Sequence, residues 1–412
     1  MLPILFRRMA GSVLLLLSVV LAIGGGVLAF LVAASLTSSI TVIILASLVV
    51  IAGVAFLLSR LGFALLRVRR SLSVWLSAVV TVLVGVLAAV TVFSPGPVTQ
   101  AGAVPPGVRY WDLPTGSRIA YQHAPATGTG RSTPVIFLHG GPGTPGEGIP
   151  AAGQVLAADG YPVYVYDQVG AGRSSRLADV TQYTVARQVA DLEAIRVAIG
   201  ADQIVLIGQS WGGSLTAQYL AAHPDRVARA VITSPGPIWR GDVTEANEGD
   251  PWTEEPDVSL RDLAMFALVD VNPRAAHALV PDAEADSWMH KLALTGRDST
   301  GCPGSPTAPA HGNMQGFYVN QVTNADFAEI PDPRPALRKV TVPTLIMRGE
   351  CDFIKWGITR DYRRTLPNST LVYVRGAGHA IAGNQPEVYL GLLRDFLAGR
   401  PMPDYSSDTP PN

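Results

Sequence analysis

Acidic residues are absent from the start of the chain: no Asp or Glu precedes Asp112. The whole chain has a formal net charge of −1. It therefore carries no excess of positive charge, and a nucleic-acid partner is not expected. The charge at the start of the chain comes from arginine, before residue 71 at Arg7, Arg8, Arg60, Arg67, Arg69 and Arg70.

Hydrophobic residues are concentrated in the same region, in three stretches near Val13–Ala34, Ile40–Leu58 and Val74–Phe93. Each is long enough to cross a bilayer, which takes about 20 helical residues. None contains an acidic residue or a lysine, so a transport pathway is not expected. We predict three transmembrane helices.

The arginines predict the orientation of these helices. Arg7 and Arg8 precede the first stretch, and the segment Ser59–Ser71 between the second and third holds four more arginines. Because positive charge favours the cytoplasmic side, the N-terminus is expected in the cytoplasm and everything after Phe93 outside it. Small residues at Ala33–Ala34 would also fit a cleaved signal peptide. Two further apolar stretches follow, and we expect a retained membrane anchor.

Proline and glycine mark the end of this anchor. We assign residues 1–94 to the membrane anchor and 95–107 to a Pro/Gly linker, because such sequences break helices. Residues 108–400 alternate between strand-like and helix-like segments, which predicts an α/β fold with a mostly parallel sheet flanked by helices. An interruption at about 239–337 is expected to be a helical cap. The polar, proline-rich residues 401–412 are expected to be a disordered tail.

The segment IVLIGQSWGGSL (Ile204–Leu215) surrounds Ser210 with three glycines. The apolar, β-branched run before the serine predicts a buried strand, and the residues after it predict a helix. Glycine allows a sharp turn between the two, and G-x-S-x-G in this setting is a nucleophile elbow. The alternative is an ordinary serine in a glycine-rich loop.

A serine nucleophile needs a base and an acid that orients the base. Asp352 follows the strand-like segment PTLIMRG, and His379 follows TLVYVRG. This is the order of Ser, Asp and His expected for such a fold. We therefore predict a catalytic triad of Ser210, Asp352 and His379. The alternative for any one of them is a surface or structural role.

An enzyme that transfers acyl groups also needs an oxyanion hole with two preorganised donors. Trp211 offers the backbone N–H directly after the nucleophile, and we assign the second donor to Gly141 in the loop HGGPG. His139 in that loop is expected to brace it through hydrogen bonds. The seven histidines show no paired ligand spacing such as H-E-x-x-H, so no metal or other cofactor is expected.

These motifs resemble the prolyl iminopeptidase-like family of α/β-hydrolases, serine peptidases that remove N-terminal residues from short peptides. The resemblance covers about Val108–Gly399. It is carried by HGGPG, DQVGAGRSS (Asp167–Ser175), GQSWGG, HPDRV (His223–Val227), GECD and GAGH. It implies an α/β-hydrolase fold with a helical cap over a site that uses the triad named above.

The chain departs from the family pattern at two positions. Val169 stands where the family usually has an arginine, which removes a charge beside the oxyanion loop. Gln315 stands where the family has a cap glutamate that binds the substrate ammonium, and a neutral amide cannot supply the same charge-assisted hydrogen bond. Glu245 or Glu248 in the acid-rich start of the cap would compensate if either reached the substrate.

We expect a membrane-anchored serine hydrolase that cleaves small amide substrates, N-terminal residues of short peptides, through an acyl-enzyme. An esterase using the same triad on small or lipid-derived esters is the first alternative. A catalytically silent hydrolase fold that serves as a binding module is the second. Its members usually lose a triad or oxyanion residue, and here all are present.

The chain has two cysteines, Cys302 and Cys351. A disulfide between them is compatible with a location outside the cytoplasm. It would tie the cap to the residue beside Asp352. The alternative is two unrelated free thiols.

Overall fold

The structure is a computed structural model that describes residues 2–128, 130–241, 258–306 and 309–411. It divides into two compact units. The first contains Met1–Pro97 and Asp257–Glu284, and the second contains Val98–Pro256 and Ala285–Asn412. Part of the segment predicted as cap therefore belongs to the same unit as the apolar helices. The predicted limits of linker and cap stay predictions.

Three apolar helices form most of the first unit: α1 (Leu2–Leu36), α2 (Ile40–Leu66) and α3 (Leu72–Thr91). All three are long and apolar enough to cross a membrane. Small residues let α1 and α2 approach closely, since a Cβ on Gly62 would lie 2.9 Å from the Leu15 side chain. The Ser77 hydroxyl of α3 donates to the Ala52 carbonyl of α2 at 2.8 Å.

The second unit is built on an eight-stranded sheet in the order β1-β2-β4-β3-β5-β6-β7-β8. Strands β1 and β2 pair antiparallel, as do β2 and β4, and the other pairs are parallel. The strands are β1 (Arg109–Asp112), β2 (Arg118–Ala124), β3 (Val135–Leu138), β4 (Val163–Tyr166), β5 (Ile204–Gln209), β6 (Val227–Thr233), β7 (Thr344–Gly349) and β8 (Ser369–Val374).

Further helices lie between or after these strands along the chain. They are α4 (Ala151–Ala158), α5 (Val185–Ile199), α6 (Trp211–Ala222), α7 (Leu260–Val271), α8 (Pro273–Leu279), α9 (Asp282–Thr295), α10 (Phe317–Glu329), α11 (Arg334–Leu337), α12 (Trp356–Thr365), α13 (Ile381–Asn384) and α14 (Pro386–Leu397). Of these, α7 and α8 belong to the first unit. Short 3₁₀ helices occupy Val180–Gln182, Pro224–Arg226 and Gly296–Thr300. The predicted fold class, a mostly parallel sheet flanked by helices and preceded by three apolar helices, is confirmed.

Local sequence signals set several helix ends. The Thr184 hydroxyl accepts a hydrogen bond from the Arg187 N–H and caps α5, which ends at Gly200 with φ 76°. Ser259 and Asp262 form a reciprocal capping box at the start of α7. These caps satisfy backbone groups that have no partner inside a helix.

The register of the sheet brings the candidate site residues together. Leu138 on β3 pairs with Gly208 on β5, so the chains after these two strands leave the sheet at the same level. Gly349 on β7 likewise pairs with Val374 on β8. In a parallel sheet, active groups collect at the C-terminal strand ends. The segments that carry Gly141, Ser210, Asp352 and His379 all begin at this edge.

The end of the chain follows the edge strand β8. The Asp404 carboxylate accepts a hydrogen bond from the Leu371 N–H at 3.0 Å, and the Tyr405 N–H donates to the Leu371 carbonyl at 2.7 Å. The ring of Trp356 packs edge-on against Tyr405, with centroids 5.7 Å apart. An edge strand offers unpaired backbone groups that a polar segment can bind. The disorder predicted for residues 401–412 from composition stays a prediction.

Candidate active site

Ser210 lies at a sharp turn between β5 and α6 with φ 55° and ψ −121°. A serine seldom adopts this backbone conformation, which costs about 1–3 kcal/mol and is typical of functional sites. A Cβ on Gly208 would overlap the Gly212 carbonyl, and a Cβ on Gly212 would overlap the Leu138 carbonyl. The glycines around Ser210 are therefore required by close backbone approach.

Ser210 borders a cavity of about 190 Å³. The cavity has polar backbone and hydroxyl groups near the elbow and mostly apolar side chains elsewhere. Its described lining residues are Gly141, Ser210, Trp211, Ser214, Gly236, Pro237, Arg240, Asn324, Phe327, Ile354 and Ile358. The candidate nucleophile Ser210 and the two oxyanion candidates, Gly141 and Trp211, therefore line the same cavity.

Asp352 and His379 form a buried hydrogen bond. His379 Nδ1 lies 2.8 Å from Asp352 Oδ1, and the two residues are only 7% and 8% exposed respectively. The Ile354 N–H also donates to Asp352 Oδ1 at 3.0 Å. The ring of Phe353 packs against the imidazole with centroids 4.2 Å apart. These contacts fix the orientation of the imidazole.

The Asp352 carboxyl is held in its ionised form. Burial by itself raises the pKa of Asp352, but the hydrogen bond and charge of His379, together with the charge of Arg348, outweigh it and lower the pKa. Arg348 Nη1 lies 3.4 Å from Asp352 Oδ2. An ionised Asp352 accepts a hydrogen bond from Nδ1–H of His379, which leaves Nε2 of the neutral imidazole as an acceptor.

The nucleophile loop and the histidine loop are adjacent. Gln209, directly before Ser210, donates from Nε2 to the His379 carbonyl at 3.2 Å. The structure therefore brings Asp352 and His379 into one hydrogen bond and sets the loop of Ser210 beside them. The proton-transfer contact between Ser210 and His379 stays a prediction.

The oxyanion candidates have suitable backbone geometry. Trp211 is the first residue of α6, and an N–H in the first turn of a helix has no acceptor within that helix. Gly141 has φ 112°, and a Cβ there would lie 2.6 Å from the Gly143 nitrogen. The positive φ and the tight turn at Gly141 require glycine. Both backbone groups border the cavity that contains Ser210.

His139 braces the oxyanion loop. The Gln168 N–H donates to His139 Nε2 at 2.9 Å, so Nδ1 carries the proton and donates to the Gly140 carbonyl at 2.9 Å. Burial lowers the pKa of His139 to about 4, although the hydrogen bond to the Gly140 carbonyl acts in the opposite direction. His139 is therefore neutral at physiological pH.

Gln168 links the oxyanion loop to the elbow, a role that the sequence did not reveal. Its Nε2 donates to the His139 carbonyl at 3.0 Å, and its Oε1 accepts from the Trp211 indole at 3.1 Å. The neighbouring Val169 is fully buried. Through Gln168, the DQVGAGRSS motif therefore contacts both the loop that carries Gly141 and the side chain of Trp211.

The substrate-binding candidates have different outcomes. Gln315 is buried, with Oε1 left without a hydrogen-bond partner among the described residues. Gly316 next to it donates to the Gly143 carbonyl at 2.8 Å, which places Gln315 beside the oxyanion loop. Glu245 and Glu248 lie outside the described residues.

Cys302 and Cys351 are joined by a disulfide. The segment before Cys302 also contacts the histidine loop, since the Ala380 N–H donates to the Thr300 carbonyl at 2.9 Å. The Cys351 N–H donates to the Ala377 carbonyl at 2.9 Å. One short segment therefore supports the loops of both Asp352 and His379.

Sequence reasoning missed two arginines near the site. Arg348, four residues before Asp352, pairs with it, and its place at the end of a strand beside an acid was the available signal. Arg240 borders the Ser210 cavity, and its Nη1 donates to Asn324 Oδ1 at 2.9 Å. No motif in the sequence marks Arg240, because its position depends on the packing of α10.

Comparison with known proteins identifies the family. The alpha/beta hydrolase fold family matches residues 133–384. The chain belongs to the α/β-hydrolase fold family. It is similar to the proline iminopeptidase of Heyndrickxia coagulans, with 27% identity over 295 residues, covering 69% of this chain and 96% of the relative. It is also similar to that of Xylella fastidiosa, with 28% identity over 285 residues, covering 64% and 87%.

Structural comparison supports the same fold. The solved structure of an N-acyl homoserine lactonase aligns with a TM-score of 0.52 and 18% identity, covering 73% of this chain and 100% of that one. At this identity the likeness concerns the fold alone. The sequence similarity to the proline iminopeptidases above supports a prolyl iminopeptidase-like α/β-hydrolase.

Proposed function

We propose that this protein is a membrane-anchored serine hydrolase that removes N-terminal residues from short peptides or cleaves similar small amides. The observation that carries the proposal is the buried hydrogen bond of 2.8 Å between Asp352 and His379, beside a strained elbow that presents Ser210. The similarity to proline iminopeptidases supports an amide substrate.

Catalysis begins when the Ser210 hydroxyl attacks the substrate carbonyl. His379 Nε2 accepts the hydroxyl proton, and Asp352 stabilises the imidazolium that forms. The N–H groups of Trp211 and Gly141 stabilise the negative charge on the carbonyl oxygen. The imidazolium then gives its proton to the leaving amine, which departs and leaves Ser210 acylated. Water, activated by His379, releases the acyl group in the reverse sequence.

The catalytic unit acts on the outer side of the membrane in this proposal. Six arginines lie near the start of α1 and near or just after the end of α2, the ends that the positive-inside rule assigns to the cytoplasm. Because α1 and α3 run in the same direction, the chain after Thr91 leaves on the other side. A disulfide between Cys302 and Cys351 fits an oxidising compartment.

The proposal is tested by labelling intact cells with a membrane-impermeant fluorophosphonate and mapping the modified peptide. We expect the label on Ser210, its loss in Ser210→Ala and His379→Ala, and its retention in the exposed control Ser132→Ala. Label on a different serine would contradict the nucleophile assignment. Labelling only after cell lysis would contradict the orientation.

A second candidate function is ester hydrolysis with the same triad. Among the described residues that line the cavity, Arg240 is the only charged side chain. Burial lowers the pKa of Arg240, but a guanidinium stays protonated at neutral pH. A cation repels a substrate ammonium, attracts an anionic acyl group and does not repel a neutral one, which favours esters over free N-termini.

The two candidates are separated by their substrates. Turnover of an aminoacyl arylamide is compared with that of a short-chain nitrophenyl ester, in the native chain and in Arg240→Gln. Amidase activity that increases in the variant would support the peptidase. Esterase activity that exceeds amidase activity in both chains would support the esterase. If Ser210→Ala left all measurable turnover unchanged, the fold would be a binding module.

A further inference from the structure

Helix α7 carries an apolar stripe that none of the described residues covers. Its inner face is packed, with Arg261, Met265, Leu268 and Val269 all buried. On the opposite side Leu260 and Leu263 are 54% and 55% exposed, and Val271 is 40% exposed. These three occupy one helical face at positions i, i+3 and i+11, and Ala264 and Ala267 fill the gaps between them. Single exposed apolar residues are ordinary, but an aligned apolar face indicates a partner.

The beginning of α7 is attached to the end of α3. Arg261 Nη1 donates to the carbonyl of Val92, the residue directly after α3, at 2.7 Å. Arg261 Nη2 also donates to Glu284 Oε2 at 2.8 Å. Glu284 in turn accepts a hydrogen bond from the Gly96 N–H at 2.8 Å. This buried ion pair fixes the start of α7 where the third apolar helix ends.

The other end of α7 is attached to the end of α1. Asn272, which follows α7, donates from Nδ2 to the Ala34 carbonyl in the last turn of α1 at 2.8 Å. Helices α1 and α3 end on the same side, because α2 returns between them. A helix of 12 residues is about 18 Å long. Helix α7 therefore crosses the ends of two apolar helices at the level where these would leave a bilayer.

We propose that α7 is an interfacial helix whose stripe of Leu260, Leu263 and Val271 inserts into the lipid leaflet on the side where α1 and α3 end. Such a helix lies in the plane of the interface, with its apolar face about 5–10 Å into the headgroup boundary. The bilayer is the occupant favoured by continuity with three membrane-spanning candidates. The flanking acids Asp262 and Asp270 add no attraction to anionic lipid, so the binding is apolar. This inference rests on the membrane anchoring in the proposed function and is independent of its chemistry.

The test places a fluorescent label on the stripe of the full-length chain in lipid nanodiscs. Both native cysteines form the disulfide, so a single introduced cysteine takes an environment-sensitive label. The stripe variants are Leu263→Cys and Val271→Cys. The matched control is Val388→Cys on α14, which is 47% exposed. A span control is Val82→Cys in the middle of α3, which is 61% exposed. Quenching by spin-labelled lipid is measured for each.

We expect spin labels near the headgroup to reduce stripe fluorescence about twofold or more, and the Val388 label to change little. Quenching at the stripe no stronger than at Val388 would overturn the inference. Emission shifted to shorter wavelength without lipid quenching, together with cross-linking between Leu263→Cys chains, would assign the stripe to a second copy and also overturn it. An unquenched Val82 label would refute membrane anchoring itself. All of these outcomes are measured equally well in a Ser210→Ala background, so they do not depend on the proposed catalysis.

Discussion

Removal of the disulfide tests how the site is held together. The bridge between Cys302 and Cys351 closes a segment with a sequence separation of 49. In the chain-entropy description, a loop of this length restricts the unfolded chain by about 4 kcal/mol at 25 °C, and measured losses are typically about 2–4 kcal/mol. We therefore expect the double variant Cys302→Ser/Cys351→Ser to lower the free energy of unfolding by about 2–4 kcal/mol.

The assay is thermal unfolding of the full chain in detergent, followed by tryptophan fluorescence. For a unit of this size, 1 kcal/mol corresponds to about 2 °C, so we expect the Tm to fall by about 4–8 °C. Dithiothreitol should lower the Tm of the native chain to that of the variant and leave the variant unchanged, which controls for the serine substitutions. A variant Tm within about 1 °C of the native value would refute the reasoning.

The same variant reports on catalysis. Cys351 directly precedes Asp352, and the Thr300 carbonyl binds the residue after His379. Loss of this support would displace the proposed acid and the proposed base relative to each other. We therefore expect kcat for the proposed hydrolysis to fall more than KM changes. An unchanged kcat in a destabilised variant would limit the disulfide to a stabilising role.

Three further predictions concern single residues. His379→Ala should lower turnover by about four orders of magnitude with an unchanged circular dichroism spectrum, and a loss of only a few fold would mean that another group is the base. The pKa of His139 falls from its usual 6.5 to about 4 on folding. The neutral imidazole therefore contributes its full stabilisation of the folded state above pH 6.5, and this contribution is lost as the pH falls towards 4. This pKa difference corresponds to about 3 kcal/mol in the free energy of unfolding. His139→Asn should therefore flatten the pH dependence of that free energy, measured by denaturant unfolding between pH 4 and 6.5. An equally steep pH dependence in the variant would show that it does not come from His139. Gln315→Glu should raise the ratio of kcat/KM for a free aminoacyl arylamide to kcat/KM for its N-acetylated form about tenfold. An unchanged ratio would mean that residue 315 does not contact the substrate ammonium.

The fold was predictable because its signals are local. Each buried strand is a short apolar run, and the residues nominated as nucleophile, acid and base each follow one of these runs. The glycines at 208 and 212 are required by contacts within the same strand–turn–helix unit, so the elbow too could be recognised from a few residues. The family resemblance relied on the same short motifs.

Other features depend on contacts between distant parts of the chain and leave little trace in the sequence. Arg240 borders the cavity only because α10 packs beside it. Gln168 joins His139 and Trp211, which lie 29 and 43 residues away from it in the sequence. The compact unit that contains the apolar helices also includes Asp257–Glu284, through pairs such as Arg261 with Val92 that no periodicity predicts.

The backbone conformation of Ser210 separates what favours activity from what favours stability. Glycine adopts φ 55° and ψ −121° without the steric conflict that a Cβ creates. An inactive Ser210→Gly chain should therefore resist unfolding better than the active one, by about 1 kcal/mol or more. Selection for thermal robustness alone would drive this position away from serine, and the proposed nucleophilic role of the hydroxyl would oppose that change.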